Sequence, residues 1–129
     1  MNEFLMKIID NRQLVSVMNK TKWKELCDSF SESNEFTPLV RFKCITSDEV
    51  TGFSPVWWDE MFRDCAVFEW LDIDPVKRER RGRLVSDRET DYSDTVIGIL
   101  KKYGIPYSIE DGCYRVWGYI GKNEHPEFV

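Results

Sequence analysis

Residues 99–117 read ILKKYGIPYSIEDGCYRVW, and this stretch decides the fold. Lys101 and Lys102 put cations where a helix dipole ends, Gly104 can take positive φ, and Pro106 forbids a further helical turn. Ile105 can then fold back onto Leu100. Asp111-Gly112 follows between two alternating segments, the composition of a two-residue type I′ turn. Such a turn sets Ile109 opposite Tyr114 and Tyr107 opposite Val116 on one face, with Ser108 opposite Arg115 on the other. A helix running straight into an antiparallel hairpin is the local grammar of an α+β fold.

Working backwards, Tyr92, Val96, Ile99, Leu100 and Tyr103 form one side of that helix, with Asp91 or Ser93 as its cap. Trp23, Leu26, Cys27 and Phe30 repeat at helical spacing after a cap at Asn19 or Thr21, and Ser31 to Asn34 ends that helix. Val40, Phe42 and Cys44 alternate with Arg41 and Lys43, which predicts a strand with one buried face. Residues 65–73 are nearly continuous in apolar character and predict a central strand. Strict alternation puts Val67, Glu69, Leu71 and Ile73 on one face and Phe68, Trp70, Asp72 and Asp74 on the other, so Glu69 is set apart from the aspartates. Pro55 demotes residues 52–58 to an edge strand or an aromatic loop. Residues 77–91 are polar and charge-dense, as in a long surface loop or ribbon. The expected fold is α+β, an antiparallel sheet of four or five strands with helices on one face.

The 129 residues suit a single domain, 1–129, with residues 1–17 as a possible helical appendage. Eighteen basic residues against 23 acidic ones give a net charge of −5, which argues against a general binder of nucleic acid. No apolar run approaches the roughly 18 residues needed to cross a bilayer, and the opening lacks a secretory leader. Cys27, Cys44, Cys65 and Cys113 are scattered among apolar neighbours, as expected of free thiols in a reducing cytoplasm.

Three groups of residues could carry function. Asp72 and Asp74 project the same way from a strand, about 7 Å apart, and could hold Mg²⁺ for chemistry on a phosphoester or nucleotide. The plainer reading pairs Asp72 with a neighbouring cation and gives Asp74 to the turn at Pro75. Lys77, Arg78, Arg80, Arg81, Arg83 and Arg88 are six basic residues against Glu79 and Asp87, leaving +4 in this arm and −9 elsewhere. Arg78, Arg80, Arg81 and Arg83 would suit phosphate, an acidic partner or a regulatory contact with nucleic acid, although no aromatic is interleaved for base stacking. Phe53, Trp57, Trp58 and Phe62 mix with Asp59 and Glu60, and Arg115, Trp117 and Tyr119 could extend the same patch. Aromatics beside acids suit a protein interface. The single histidine, His125, lies in a polar tail and offers no base for a nucleophile. No cofactor motif is present.

Asn19 to Leu26 (NKTKWKEL), Phe68 to Ile73 (FEWLDI), Ile105 to Gly112 (IPYSIEDG) and the closing Trp117-Gly118-Tyr119 resemble a family of small uncharacterised bacterial proteins, from Met18 onward. These motifs define a fold and imply no catalytic residue. In size, acidity and tryptophan content the chain is also similar in type to immunity proteins, which neutralise toxic nuclease domains. The expectation is a cytoplasmic protein-binding module, an immunity-type inhibitor of a toxin or nuclease domain.

Overall fold

The computed structural model describes residues 2–33 and 35–129. In chain order it contains α1 (Glu3–Arg12), β1 (Val15–Ser16), α2 (Lys20–Glu32), β2 (Leu39–Cys44), α3 (Trp58–Arg63), a 3-10 turn (Cys65–Val67), β3 (Phe68–Asp74), β4 (Val76–Glu79), β5 (Arg88–Asp91), α4 (Ser93–Lys102), β6 (Tyr107–Glu110), β7 (Cys113–Trp117) and β8 (Tyr119–Ile120). The fold is α+β. Its main sheet is antiparallel in the order β2-β3-β7-β6, with small β1-β8 and β4-β5 pairs beside it.

The helix-to-hairpin junction forms as its residues dictate. Gly104 has φ 61°, and the Ile105 N–H donates to the Leu100 carbonyl at 2.9 Å, closing the helix end. Asp111 and Gly112 both take positive φ, 51° and 79°, as a type I′ turn requires. The register that follows is Tyr107↔Val116, Ser108↔Arg115 and Ile109↔Tyr114. The tail returns to this hairpin: Phe128 bridges Ser108, and the Val129 N–H donates to the Tyr107 carbonyl, which covers part of the outer edge of β6.

Asn19 caps α2 by accepting from the Lys22 N–H at 2.8 Å, and Trp23, Leu26, Cys27 and Phe30 are all buried. The helix ends at Glu32; the expected stop extends to Asn34, which lies outside the described residues. These side chains join Trp58 and Met61 of α3 and Val96 and Leu100 of α4 against Val40, Leu71, Ile73, Tyr114 and Val116 of the sheet. Each fully buried aliphatic side chain contributes about 1.5–3 kcal/mol of transfer free energy to this core. Residues near the N-terminus are tied down separately: Leu5 and Leu14 pack with Ile45 and Tyr119, while β1 pairs with β8.

Two expectations from strict patterning fail. The segment before the central strand is helical: α3 and the 3-10 turn occupy residues 58–67, and only 68–74 are strand. Residues 50–54 do run beside β2, bridging it at Lys43↔Val50 and Val40↔Ser54, as an irregular edge. The second failure lies inside β3. Lys43 pairs with Trp70 but Cys44 pairs with Phe68, so Glu69 is an extra residue, a β-bulge. The bulge inverts the alternation. Phe68 joins Leu71 and Ile73 in the core, and Glu69, expected beside them, turns instead to Lys43 and Arg12.

Candidate recognition surface

The face of the sheet turned away from the core is built of cross-strand partners. Arg41 and Arg115 flank Asp72 in the ladder, and Trp70 lies opposite Trp117. Asp72 is fully buried and both its oxygens are occupied. Its Oδ1 accepts from Arg115 Nε at 2.7 Å, and its Oδ2 accepts from Arg115 Nη2 at 3.0 Å and Arg41 Nε at 2.8 Å. The bond to Asp72 pushes the Arg41 guanidinium pKa up, so this cation stays charged. Arg115 stacks over the Trp70 ring, 3.7 Å from its centroid, and the Trp117 indole N–H donates to Ser108 Oγ at 2.8 Å. Lys43 and Arg12 close on Glu69. Every charged group here finds its partner within the chain.

This geometry locates the aspartates expected at a metal site. Asp74 accepts from the Val76 N–H at 3.0 Å and from Arg78 Nη1 at 2.8 Å, which makes it the start of the turn into β4. Asp72 is given to arginines. Among the described residues no three histidine, cysteine or carboxylate side chains gather as a cation site.

The aromatic residues divide sharply. Trp58 is buried, stacked on Phe30 at 4.9 Å between centroids, and its indole N–H has no hydrogen-bond partner among the described residues. Phe62 is half-buried, and Lys24 lies over its ring. Trp117 and Tyr119 are also buried, Tyr119 donating its hydroxyl to the Ala66 carbonyl at 2.8 Å. They therefore do not extend an exposed patch, and Arg115 is turned onto Asp72 rather than outward. Trp57, in contrast, is 79% exposed, and Phe53 and Val50 on the same segment are exposed as well. Asp59 and Glu60 follow in the first turn of α3, both exposed. Trp57 also lines a recess of about 330 Å³ with Phe42, Val56 and Phe68, and Glu60 and Asp64 stand on the same wall.

The basic arm is the β4-β5 hairpin, with pairs Lys77↔Thr90 and Glu79↔Arg88. Arg78 is committed to Asp74 and Glu89, and Arg81 Nε donates to the Ser86 carbonyl. Arg80 and Arg83 form no ion pair among the described residues. Leu84 at the tip is 99% exposed, a feature the charge count of this segment concealed. All four cysteines are free, and burial pushes the Cys27 thiol up to about 12. No helix of the structure is long and apolar enough to cross a membrane.

An α+β protein whose sheet face is closed by its own ion pairs, and whose one exposed indole among the described residues lies on an edge, is the class these features define. The chain belongs to a family of unknown function, DUF6678, whose model matches residues 5–123. The matched span takes in most of α1 and its packing residues as well as the main sheet. No curated protein and no solved structure matches the chain.

Proposed function

We propose that this chain is a protein-binding module that docks its partner on the edge formed by Val50, Phe53 and Trp57 and the first turn of α3. The observation carrying this reading is Trp57, an indole left 79% exposed beside two more exposed apolar side chains while the other tryptophans named above are buried. A large ring that a small domain leaves in water is the residue type that anchors interfaces. Asp59 and Glu60 next to it, on a chain of net charge −5, favour a partner with a basic surface and speed its approach. An immunity-type inhibitor of a toxin or nuclease domain in the cytoplasm is the finer form of this proposal, since such domains present basic surfaces to nucleic acid.

The test is affinity capture from the source organism with the wild-type chain and with Trp57→Ala, followed by reconstitution of the purified complex. The expected result is at least about a thirtyfold loss of affinity for Trp57→Ala, as hot-spot truncations of about 2 kcal/mol give. A captured partner that binds both chains equally well overturns the proposed edge. A partner that proves to be a toxin domain, with its activity suppressed by the chain, supports the finer reading.

A further inference from the structure

A cavity of about 570 Å³ lies on a different part of the surface, where the start of α2 meets the end of α3 and the turn between β7 and β8. Its size falls within the range of small-molecule sites. Met18, Trp23, Phe62 and Tyr119 supply apolar and aromatic walls, and Lys20 and Arg63 supply the charge. Among the described residues no carboxylate lines it, in a chain where carboxylates outnumber cations 23 to 18. Among the described residues Arg63 forms one ion pair, with Glu60 at 3.7 Å on its own helix, and both side chains of that pair are largely exposed, so water screens it. Cys65, also on the wall, is a neutral thiol raised by burial, and it adds apolar surface instead of a competing anion.

The backbone adds to the same polarity. Asn19 takes the Lys22 N–H through its side chain and the Trp23 N–H through its carbonyl. The N–H groups of Lys20 and Thr21, first in the helix, are the ones left over. Asn19 and Lys20, at this helix start, line the cavity. Gly118 holds the opposite wall: a Cβ there would lie 2.0 Å from the Phe68 carbonyl oxygen, so the chain can approach β3 this closely only as glycine.

We infer that this cavity binds a small amphipathic carboxylate, its apolar body between Trp23, Phe62 and Tyr119 and its anionic head toward Lys20, Arg63 and the first turn of α2. An apolar body explains the walls, and a single negative charge explains why the ionic lining among the described residues is cationic. The cavity shares no lining residue with the partner edge, although Glu60 of that edge stands beside Arg63.

Two pairs of probes of matched shape test this on the full chain: indole-3-acetate with indole-3-acetamide, and octanoate with octanamide. Binding is followed by amide chemical shifts in ¹H–¹⁵N spectra. At least one carboxylate is expected to bind in the range of about 0.1–1 mM, as its size allows, shifting Met18, Trp23, Gly118 and Tyr119. It should exceed its neutral amide by about fivefold or more, a preference that charge-assisted hydrogen bonds supply. The preferred pair tells an aromatic body from an aliphatic one. In Lys20→Gln/Arg63→Gln, which changes only exposed side chains, carboxylate and amide should bind alike. Equal binding of acid and amide to the wild-type chain, shifts confined to other residues, or no binding of either carboxylate below about 10 mM each overturns the inference.

Discussion

Arg115 and Trp117 on the sheet face, and Trp57 and Glu60 on the edge, are drawn from the same residue types and meet opposite ends. On the face, the ladder places Arg115 against Asp72 and stacks it on Trp70, so charge and ring satisfy each other under cover. On the edge, Trp57 follows Pro55 outside the regular sheet, and no neighbouring strand supplies it with a partner. An aromatic-and-charge mixture is therefore not in itself a recognition surface. On the proposed reading it serves as one where the fold withholds the internal partner, as at Trp57.

The strongest way to break this contrast is to open the closed face. Asp72→Ala leaves Arg41 and Arg115 without their shared acceptor, and breaking a buried pair costs about 3–5 kcal/mol. The expected loss is near about 3 kcal/mol, because Arg41 is 25% exposed and can turn to water. Urea unfolding reads this directly; a change within error would mean that the face is not held by its ions. Next in size is Gly118→Ala. Its Cβ meets backbone that cannot swing aside, so a loss of about 1–3 kcal/mol is expected, and an unchanged midpoint would contradict the close approach of β7–β8 to β3.

A smaller effect sharpens the role of the arm's base. Ser93 donates to Asp91 through both its hydroxyl and its N–H, and this holds the carboxyl below its ordinary 3.8. A depressed folded pKa means that the stabilisation is complete above 3.8 and is lost as pH falls through the lower folded value. Asp91→Ala should therefore narrow the stability difference between pH 6 and pH 3 measured by thermal melting; an identical difference would remove from the account this turn ahead of α4, whose N-cap is Tyr92 and not the expected Asp91 or Ser93. Smallest of all is Trp57→Ala, expected to change stability by no more than about 0.5 kcal/mol, since the ring buries little in the isolated chain.

What the sequence makes legible follows the range of the forces involved. The Gly104 stop, the Asp111-Gly112 turn and the register from Tyr107 to Val116 are local, and each is readable from a few adjacent residues. Which of Trp57 and Trp58 is core and which stays outside depends on the helix that begins at Trp58. The Glu69 bulge is less legible still. One extra residue reverses the faces of β3, and only the pairing of Lys43 with Trp70 and Cys44 with Phe68 reveals it. The burial of Trp117 depends on Ser108, Arg115 and Trp70 arriving from three strands, and no spacing within one segment encodes that.

Side-by-side measurement of urea midpoint and partner affinity for Trp57→Ala and Asp72→Ala tests the central contrast most directly. Trp57→Ala should keep the wild-type midpoint and lose the partner, whereas Asp72→Ala should lower the midpoint yet, under conditions where it remains folded, retain the partner. A Trp57→Ala chain that unfolds early, or one that binds as tightly as wild type, would contradict the account.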